Sequence, residues 1–206
     1  PAVVPELIDL AEWRRLRAEA GGRPHDSFRL LFAGRFYRRK RVDVLLRAAA
    51  ALATRIPDLE LRIVGNGPCA AAWQSLAAGL KLRGAVAWLG DVSRPQLVDE
   101  YRACDLFCLP SVQEGFGIVL LEAMAAGKAI VASRAAAIPE VVPHGLLVEP
   151  DIPEALAAAI EDLYRSPAKR ADLGRAGAQW VEQFDAPRVA RLFLEAVSGV
   201  VTGPSV

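Results

Sequence analysis

The sequence predicts an α/β domain, a doubly wound parallel sheet of Rossmann-like type. Two observations carry that reading. Short apolar runs alternate with longer Ala- and Leu-rich segments from Phe28 onward, and such alternation builds strand–helix–strand units whose strands run parallel. The 206 residues are 53% hydrophobic and 24% charged, which is enough apolar material for one domain with a full core and unlike a disordered chain.

Taken in order, residues 1 to 27 differ from the rest. PAVVPELIDLAEW is Pro-punctuated and is followed by a charged stretch with a Gly pair, which reads as a linker arm that packs on the domain or leads to another. The domain proper is expected from 28 to 200, with 201 to 206 as a frayed tail. FRLLFAG (28 to 34) is the first strand, and VDVLLRAAAALATRI (42 to 56) has the spacing and composition of a helix. LELRIVG (59 to 65) with GPCAAAWQSLAAGLKL repeats the unit, and VAWLG (86 to 90) with SRPQLVDEYRAC repeats it again. DLFCLPS (105 to 111) leads into a helix opened by EGFG. AIVAS (129 to 133) and GLLVEP (145 to 150) add two strands, and Asp151 and Pro153 announce a helix near 153 to 165. Helices near 167 to 183 and 187 to 199 complete the chain.

Composition narrows the function. A formal net charge of +1 supplies no general attraction to nucleic acid or anionic membranes. Cys69, Cys104 and Cys108 are odd in number and form no CxxC pair, so neither a disulfide framework nor a metal site is expected, and a reducing cytoplasm fits. No apolar run reaches the roughly 18 residues of a membrane span, and no signal-peptide pattern opens the chain. A start at Pro1 without Met reads as a piece of something longer.

In open α/β sheets ligands bind beyond the carboxyl ends of the strands, so those loops hold the candidates. GRFYRRKR (34 to 41) puts five cations into seven positions; a solvated turn, a nucleic-acid patch and a phosphate grip all compete, and phosphate suits Arg35 and Lys40 best because no stacking set accompanies them beyond Phe36 and Tyr37. VGNGP (64 to 68) is a weak Gly turn, with neither GxGxxG after the first strand nor a P-loop anywhere. WLGD (88 to 91) reads as a turn. SVQEGFG (111 to 117) brings Gly115 and Gly117 to a helix start, where backbone amides favour anions.

Glu114 and Glu122 stand eight positions apart. Glu122 interrupts a run otherwise apolar from Phe116 to Ala126, and a carboxylate there needs a partner. Either an Arg pairs with it or a ligand hydroxyl does. His25 and His144 are expected at the surface, Cys104 and Cys108 in the core, and Trp73, Trp88 and Trp180 in packing roles.

Together EGFGIVLLE, with two Glu separated by seven residues, GRxxxxK after the first strand, the Gly-x-Gly-Pro turn and IPEVV followed by GLLV resemble the C-terminal, donor-binding half of retaining GT-B glycosyltransferases of family four. The resemblance covers nearly the whole chain, from about Val3. It implies the C-terminal half of a GT-B fold, with PAVVPELIDL as interdomain linker and an N-terminal acceptor-binding domain missing. It also implies that Arg35 and Lys40 hold the donor diphosphate and stabilise it as leaving group without a metal or any cofactor. Glu114 contacts the transferred sugar, the amides of Gly115, Phe116, Gly117 and Ile118 lie against sugar and phosphate, and Glu122 contacts the ribose. Gly34, Gly65, Leu89, Ser111 and Val119 complete the implied donor-binding set. The donor is expected to be a UDP- or GDP-linked sugar and the acceptor a sugar, lipid or small molecule. Nucleic acid is not an expected partner, and peripheral membrane association of the full-length protein stays open. Arg41 departs from the family's usual Gly, RAAAIPE replaces a stretch that commonly holds a Gly pair, and Val142 to Gly145 is shorter than usual. A non-catalytic interaction domain and a nucleotide-sugar epimerase of the same fold are the rival readings.

Overall fold

The computed structural model describes residues 5–19, 25–82 and 84–201. It contains β1 (Phe28–Ala33), β2 (Leu59–Val64), β3 (Val86–Gly90), β4 (Leu106–Leu109), β5 (Ala129–Ser133) and β6 (Leu146–Val148) in one sheet. The order is β3-β2-β1-β4-β5-β6, with every adjacent pair parallel. From β1 the chain adds β2 and β3 on one side, then returns to place β4, β5 and β6 on the other. The reversal falls between β1 and β4, whose register pairs Leu30 with Leu106 and Leu31 with Phe107.

Burial follows that order. Every residue of β4 and β5 is buried, while β3 and β6 at the two edges are only half-buried. Inner strands of a parallel sheet are covered on both faces and therefore read as unbroken apolar runs, which explains why LFCL and AIVAS contain no alternation.

Nine helices join the strands among the described residues: α1 (Leu10–Glu19), α2 (Val42–Leu52), α3 (Ala70–Gly79), α4 (Arg94–Ala103), α5 (Ile118–Ala125), α6 (Ile138–Val141), α7 (Pro153–Arg165), α8 (Pro167–Trp180) and α9 (Ala186–Val201). Helix α2 packs on α3 and α7; α1 packs on α4 and α5, and α5 on α8. The segment read as a single helix from 167 to 183 ends at Trp180 and tightens into a 3₁₀ turn over Val181–Phe184.

The arm belongs to the same body. Ile8 forms a parallel bridge with Asp185, and its amide donates to the Phe184 carbonyl at 2.9 Å. Helix α1 was not foreseen, because five of the ten residues of LAEWRRLRAE are charged. Its local signal was Asp9, whose Oδ1 accepts the Glu12 amide at 2.8 Å and caps one of the N–H groups that a helix start leaves free. Only Leu10, Trp13 and Leu16 are buried, one stripe of a polar helix.

Cys104 and Cys108 lie in the core as expected, and Trp73 is buried. Burial pushes the Cys104 thiol up to about 12 and the Cys108 thiol further above its ordinary value. His144 is exposed, edge-on to Trp180. His25 corrects its expectation: it is half-buried, its ring nitrogens each 2.7 Å from a carbonyl, those of Ser27 and Ala103. Residues 1 to 4, the Gly pair at 21 and 22, and the tail from 202 to 206 lie outside the described residues.

Candidate functional site

Four polar or charged side chains are buried among the described residues: Lys40, Ser111, Glu122 and Ser133. Such groups cost free energy unless paired, so their partners show what the site is built to hold. Three of the four sit in the loops that leave β1 and β4 or in the helix after β4. A ligand crevice in a doubly wound sheet opens at that reversal point.

The loop after β1 sorts its five cations. A 3₁₀ turn over Arg38–Lys40 turns Lys40 inward, to 8% exposure. Arg41 adopts a left-handed φ of 50° and directs its guanidinium away, to Asp43 at 3.3 Å and Asp151 at 2.9 Å. Arg35, Arg38 and Arg39 stay at the surface, with Arg39 lying over the Tyr37 ring at 4.9 Å. Gly34 closes on the turned-in lysine: a Cβ there would stand 3.8 Å from Lys40 Nζ.

The loop after β4 is stitched to the first. Ser111 is fully buried, with its Oγ 3.0 Å from the Arg39 carbonyl and 3.3 Å from that of Gln113, and the Val112 amide donates to the same Arg39 carbonyl at 2.9 Å. Ser111 thus braces the two loops. Across the join, Lys40 Nζ donates to Glu114 Oε1 at 2.6 Å, and the two side chains are only 10% and 8% exposed. Each is the other's main counter-charge, because little water reaches either.

Beyond Glu114 the chain opens. Gly115 is exposed, and Gly117, left-handed at φ 88°, starts α5. The amides of Gly115, Phe116, Gly117, Ile118 and Val119 donate to no acceptor among the described residues, as expected at a helix start, where they can meet an anion. The Phe116 ring turns to Phe184 at 5.5 Å, and Ile118 is 47% exposed. A hollow of about 820 Å³ lies here, lined by Gly115, Phe116, Ala137, Glu140, Trp180 and Phe184 among others. Ala136 beside it has a left-handed φ of 48°.

Glu122 is 4% exposed and faces α4. Arg94 Nη1 donates to its Oε1 at 2.6 Å, and the Tyr101 hydroxyl lies 3.1 Å from its Oε2 and 3.0 Å from the Val119 carbonyl. Burial raises its carboxyl above the ordinary range, and the Arg94 charge works against that rise. Of the two partners weighed for this residue, the structure supplies an Arg, but one at the surface: the Arg94 side chain is 39% exposed.

Gly65 and Gly67 serve packing. A Cβ on Gly65 would fall 2.1 Å from the Gly34 carbonyl oxygen, and one on Gly67 would fall 2.8 Å from the Phe36 nitrogen. No other residue lets this turn close on the first loop. Leu89 lies half-buried on edge strand β3, two strands from β1. The structure therefore gathers Gly34, Lys40, Ser111, Glu114 and the amides 115 to 119 at one crevice. Arg35 stands exposed on the same loop, Glu122 is buried against Arg94 and Tyr101 of α4, and Leu89 sits on edge strand β3. Arg94 and Tyr101 were missed, since nothing in SRPQLVDEY points to a carboxylate in the next strand–helix unit.

The sequence profile of the family described as glycosyl transferases group 1 matches residues 14–180. A D-inositol 3-phosphate glycosyltransferase of Pseudarthrobacter chlorophenolicus is 35% identical over 210 residues, covering 97% of this chain and 50% of that protein. The chain spans about half the length of such curated relatives. Among solved structures, a glycosyltransferase from Rickettsia africae superposes with a TM-score of 0.85 at 21% identity, over 98% of this chain and 57% of that one. Anabaena Alr3699/HepE, in complex with UDP and glucose, superposes at 0.80 with 25% identity, over 93% and 55%. The C-terminal domain of the group 1 protein LpcC from Francisella tularensis superposes at 0.69 with 22% identity, over 88% of this chain and 95% of that one. The fold is the Rossmann-like C-terminal half of GT-B glycosyltransferases, and the chain belongs to the glycosyl transferases group 1 family.

Proposed function

We propose that this chain is the donor-binding half of a glycosyltransferase that moves a sugar from a nucleoside diphosphate to an acceptor held by a further domain. One observation carries the reading: the buried Lys40–Glu114 pair at the β1/β4 reversal, facing free amides at the start of α5. Each partner stands in for a donor group. A carboxylate occupies the place a phosphate would take on Lys40, and an ammonium occupies the place a sugar hydroxyl would take on Glu114.

When a pyrophosphate-linked sugar enters, Lys40 and the amides of Gly115 to Ile118 meet the diphosphate, with Arg35 swinging in from solvent. Glu114 then accepts hydrogen bonds from the sugar and Glu122 from the ribose. As the glycosidic bond breaks, negative charge grows on the diphosphate and the sugar becomes oxocarbenium-like. Fixed cations and amides stabilise that growing charge more than the ground state, which is the requirement for catalysis. The reaction needs no metal in this scheme, and departure and attack on one sugar face give retention. The UDP in the HepE complexes favours UDP among the candidate donors, and the relatives' name favours a phosphorylated alcohol as acceptor. The apolar residues Leu192, Phe193, Leu194 and Val197, between 41% and 63% exposed along α9, suit the packing of the further domain. A cytoplasmic setting fits the thiols and the soluble donor.

Calorimetric titration with UDP, GDP and ADP tests the site. Lys40→Ala is expected to weaken the preferred diphosphate by at least about tenfold, a loss in line with one charge-assisted hydrogen bond. Unchanged affinity would remove Lys40 from the site.

A further inference from the structure

Glu122 is held by a chain of contacts that ends in the arm. Arg94, at the first turn of α4, donates to Glu122 Oε1 at 2.6 Å while its guanidinium lies 5.0 Å from the centre of the Trp13 ring and 3.9 Å from Glu12 Oε2. Trp13 also meets Tyr101 edge-on, with centroids 5.5 Å apart, and Tyr101 approaches the other oxygen of Glu122. Both groups that touch the carboxylate therefore rest on one ring of α1. That ring is 1% exposed, and its Nε1 is buried without an acceptor among the described residues. A buried donor left unmade costs stability, and what the indole contributes in return are its face under Arg94 and its contact with Tyr101.

We propose that Arg94 is a positioning residue for Glu122 in nucleotide binding, and that Trp13 of the arm sets Arg94. The proposal rests on the reading of Glu122 as the ribose carboxylate. Two vicinal hydroxyls are donors, and a carboxyl group accepts both most strongly when ionised, with all its oxygen lone pairs open, and correctly turned. Burial works against ionisation here, and Arg94 opposes burial. Among the described residues, the charged and titratable groups around Glu122 are Arg94 and Tyr101 of α4, with Glu12 of α1 beyond the guanidinium. Arg94 is the one cation among them. Its partial exposure leaves it free to shift when a diol arrives, whereas Tyr101 is fully buried and stays. Donor binding is thereby linked to helix α1 of the arm.

Titration of UDP and of 2′,3′-dideoxy-UDP into this chain between pH 5 and pH 8.5 tests it. Wild type should prefer UDP, and Glu122→Ala should abolish the preference; a wild type indifferent to the diol overturns the ribose reading and the proposal with it. Given that preference, Arg94→Met is expected to weaken UDP about tenfold at pH 7 and to move the pH dependence of binding upward, so that affinity still climbs with pH where wild type is flat. Arg94→Lys should restore much of both effects, and Trp13→Leu should reproduce the pH shift at smaller size. A preference that survives in Arg94→Met with an unmoved pH profile overturns the positioning role. Thermal melts of each variant establish that the folded state is the one titrated.

Discussion

Glu114 and Glu122 belong to one nine-residue motif and are both shielded from water, yet they meet their cations in opposite ways. Glu114 pairs with Lys40, itself 10% exposed, in a closed contact that ties the β1 loop to the β4 loop. Glu122 pairs with Arg94 of α4, 39% exposed. The closed pair joins two loops whose carbonyls and hydroxyls are already interlocked through Ser111 and Val112. The open pair joins α5 to α4, and its Arg94 also lies on Trp13 of the arm. The difference teaches that one motif can serve two mechanical purposes: its first acid sits at a rigid rim and its second at a joint.

Removing a cation from each pair should break the comparison most visibly. Lys40→Ala leaves Glu114 buried without a counter-charge and is expected to lower stability by about 3–5 kcal/mol, whereas Arg94→Ala leaves Glu122 near a path to solvent and should cost about 1–2 kcal/mol. Lys40→Met combined with Glu114→Leu should recover most of the first loss without recovering nucleotide binding, since an apolar pair of similar size commonly replaces a buried ion pair without penalty. Chemical denaturation of the variants measures all three, and equal losses at Lys40 and Arg94 would erase the distinction between closed and open pairs.

A pH series sharpens the Glu122 side. Its carboxyl is raised in the folded protein, so the native state binds that proton more tightly than the unfolded chain does. The associated stability is fully present below the ordinary carboxylate pKa, about 4.3, and is lost as pH rises through the raised value. Glu122→Gln lacks this dependence. Its melting temperature relative to wild type should therefore climb as pH rises from about 4 toward neutrality, apart from a constant offset for altered hydrogen bonds. Parallel curves for the two proteins would refute the shift.

The smallest expected effect lies on the same rim but in neither pair. Ala136 and Arg41 both hold left-handed backbone, which costs a non-glycine residue roughly 1 kcal/mol. Ala136→Gly should gain a few tenths of a kcal/mol, about 0.5, after the greater freedom of the unfolded glycine chain is subtracted. Arg41→Gly should gain less, because it also gives up the contacts with Asp43 and Asp151. Thermal denaturation decides the order of the two.

Much of the architecture was legible. VAWLG and AIVAS coincide with β3 and β5 at both ends, and the helix from 153 to 165 coincides with α7, because period and punctuation act within a few residues of chain. Helix α1 was hidden by its polar composition, and α6, four residues within IPEVV, is too short to show a period. The crevice was legible through loop position, since Lys40, Glu114 and the free amides lie beyond strand ends. Ser111 was read only as part of the donor set, and its buried hydroxyl turns out to brace the loops. Among the described residues Arg35 meets no acid, although its loop neighbour Lys40 does.

By itself the sequence determined that there would be a parallel sheet, where its strands lie, and which loops carry charge, since those follow from side-chain periodicity and turn chemistry over short stretches. Which cation faces which acid was settled only by tertiary structure. Lys40 reaches Glu114 across 74 residues and Arg94 reaches Glu122 across 28, and those meetings depend on β4 lying against β1 and on the arm packing over α4. Strand order and helix docking are set by the summed burial of the whole core, a quantity that no single segment contains.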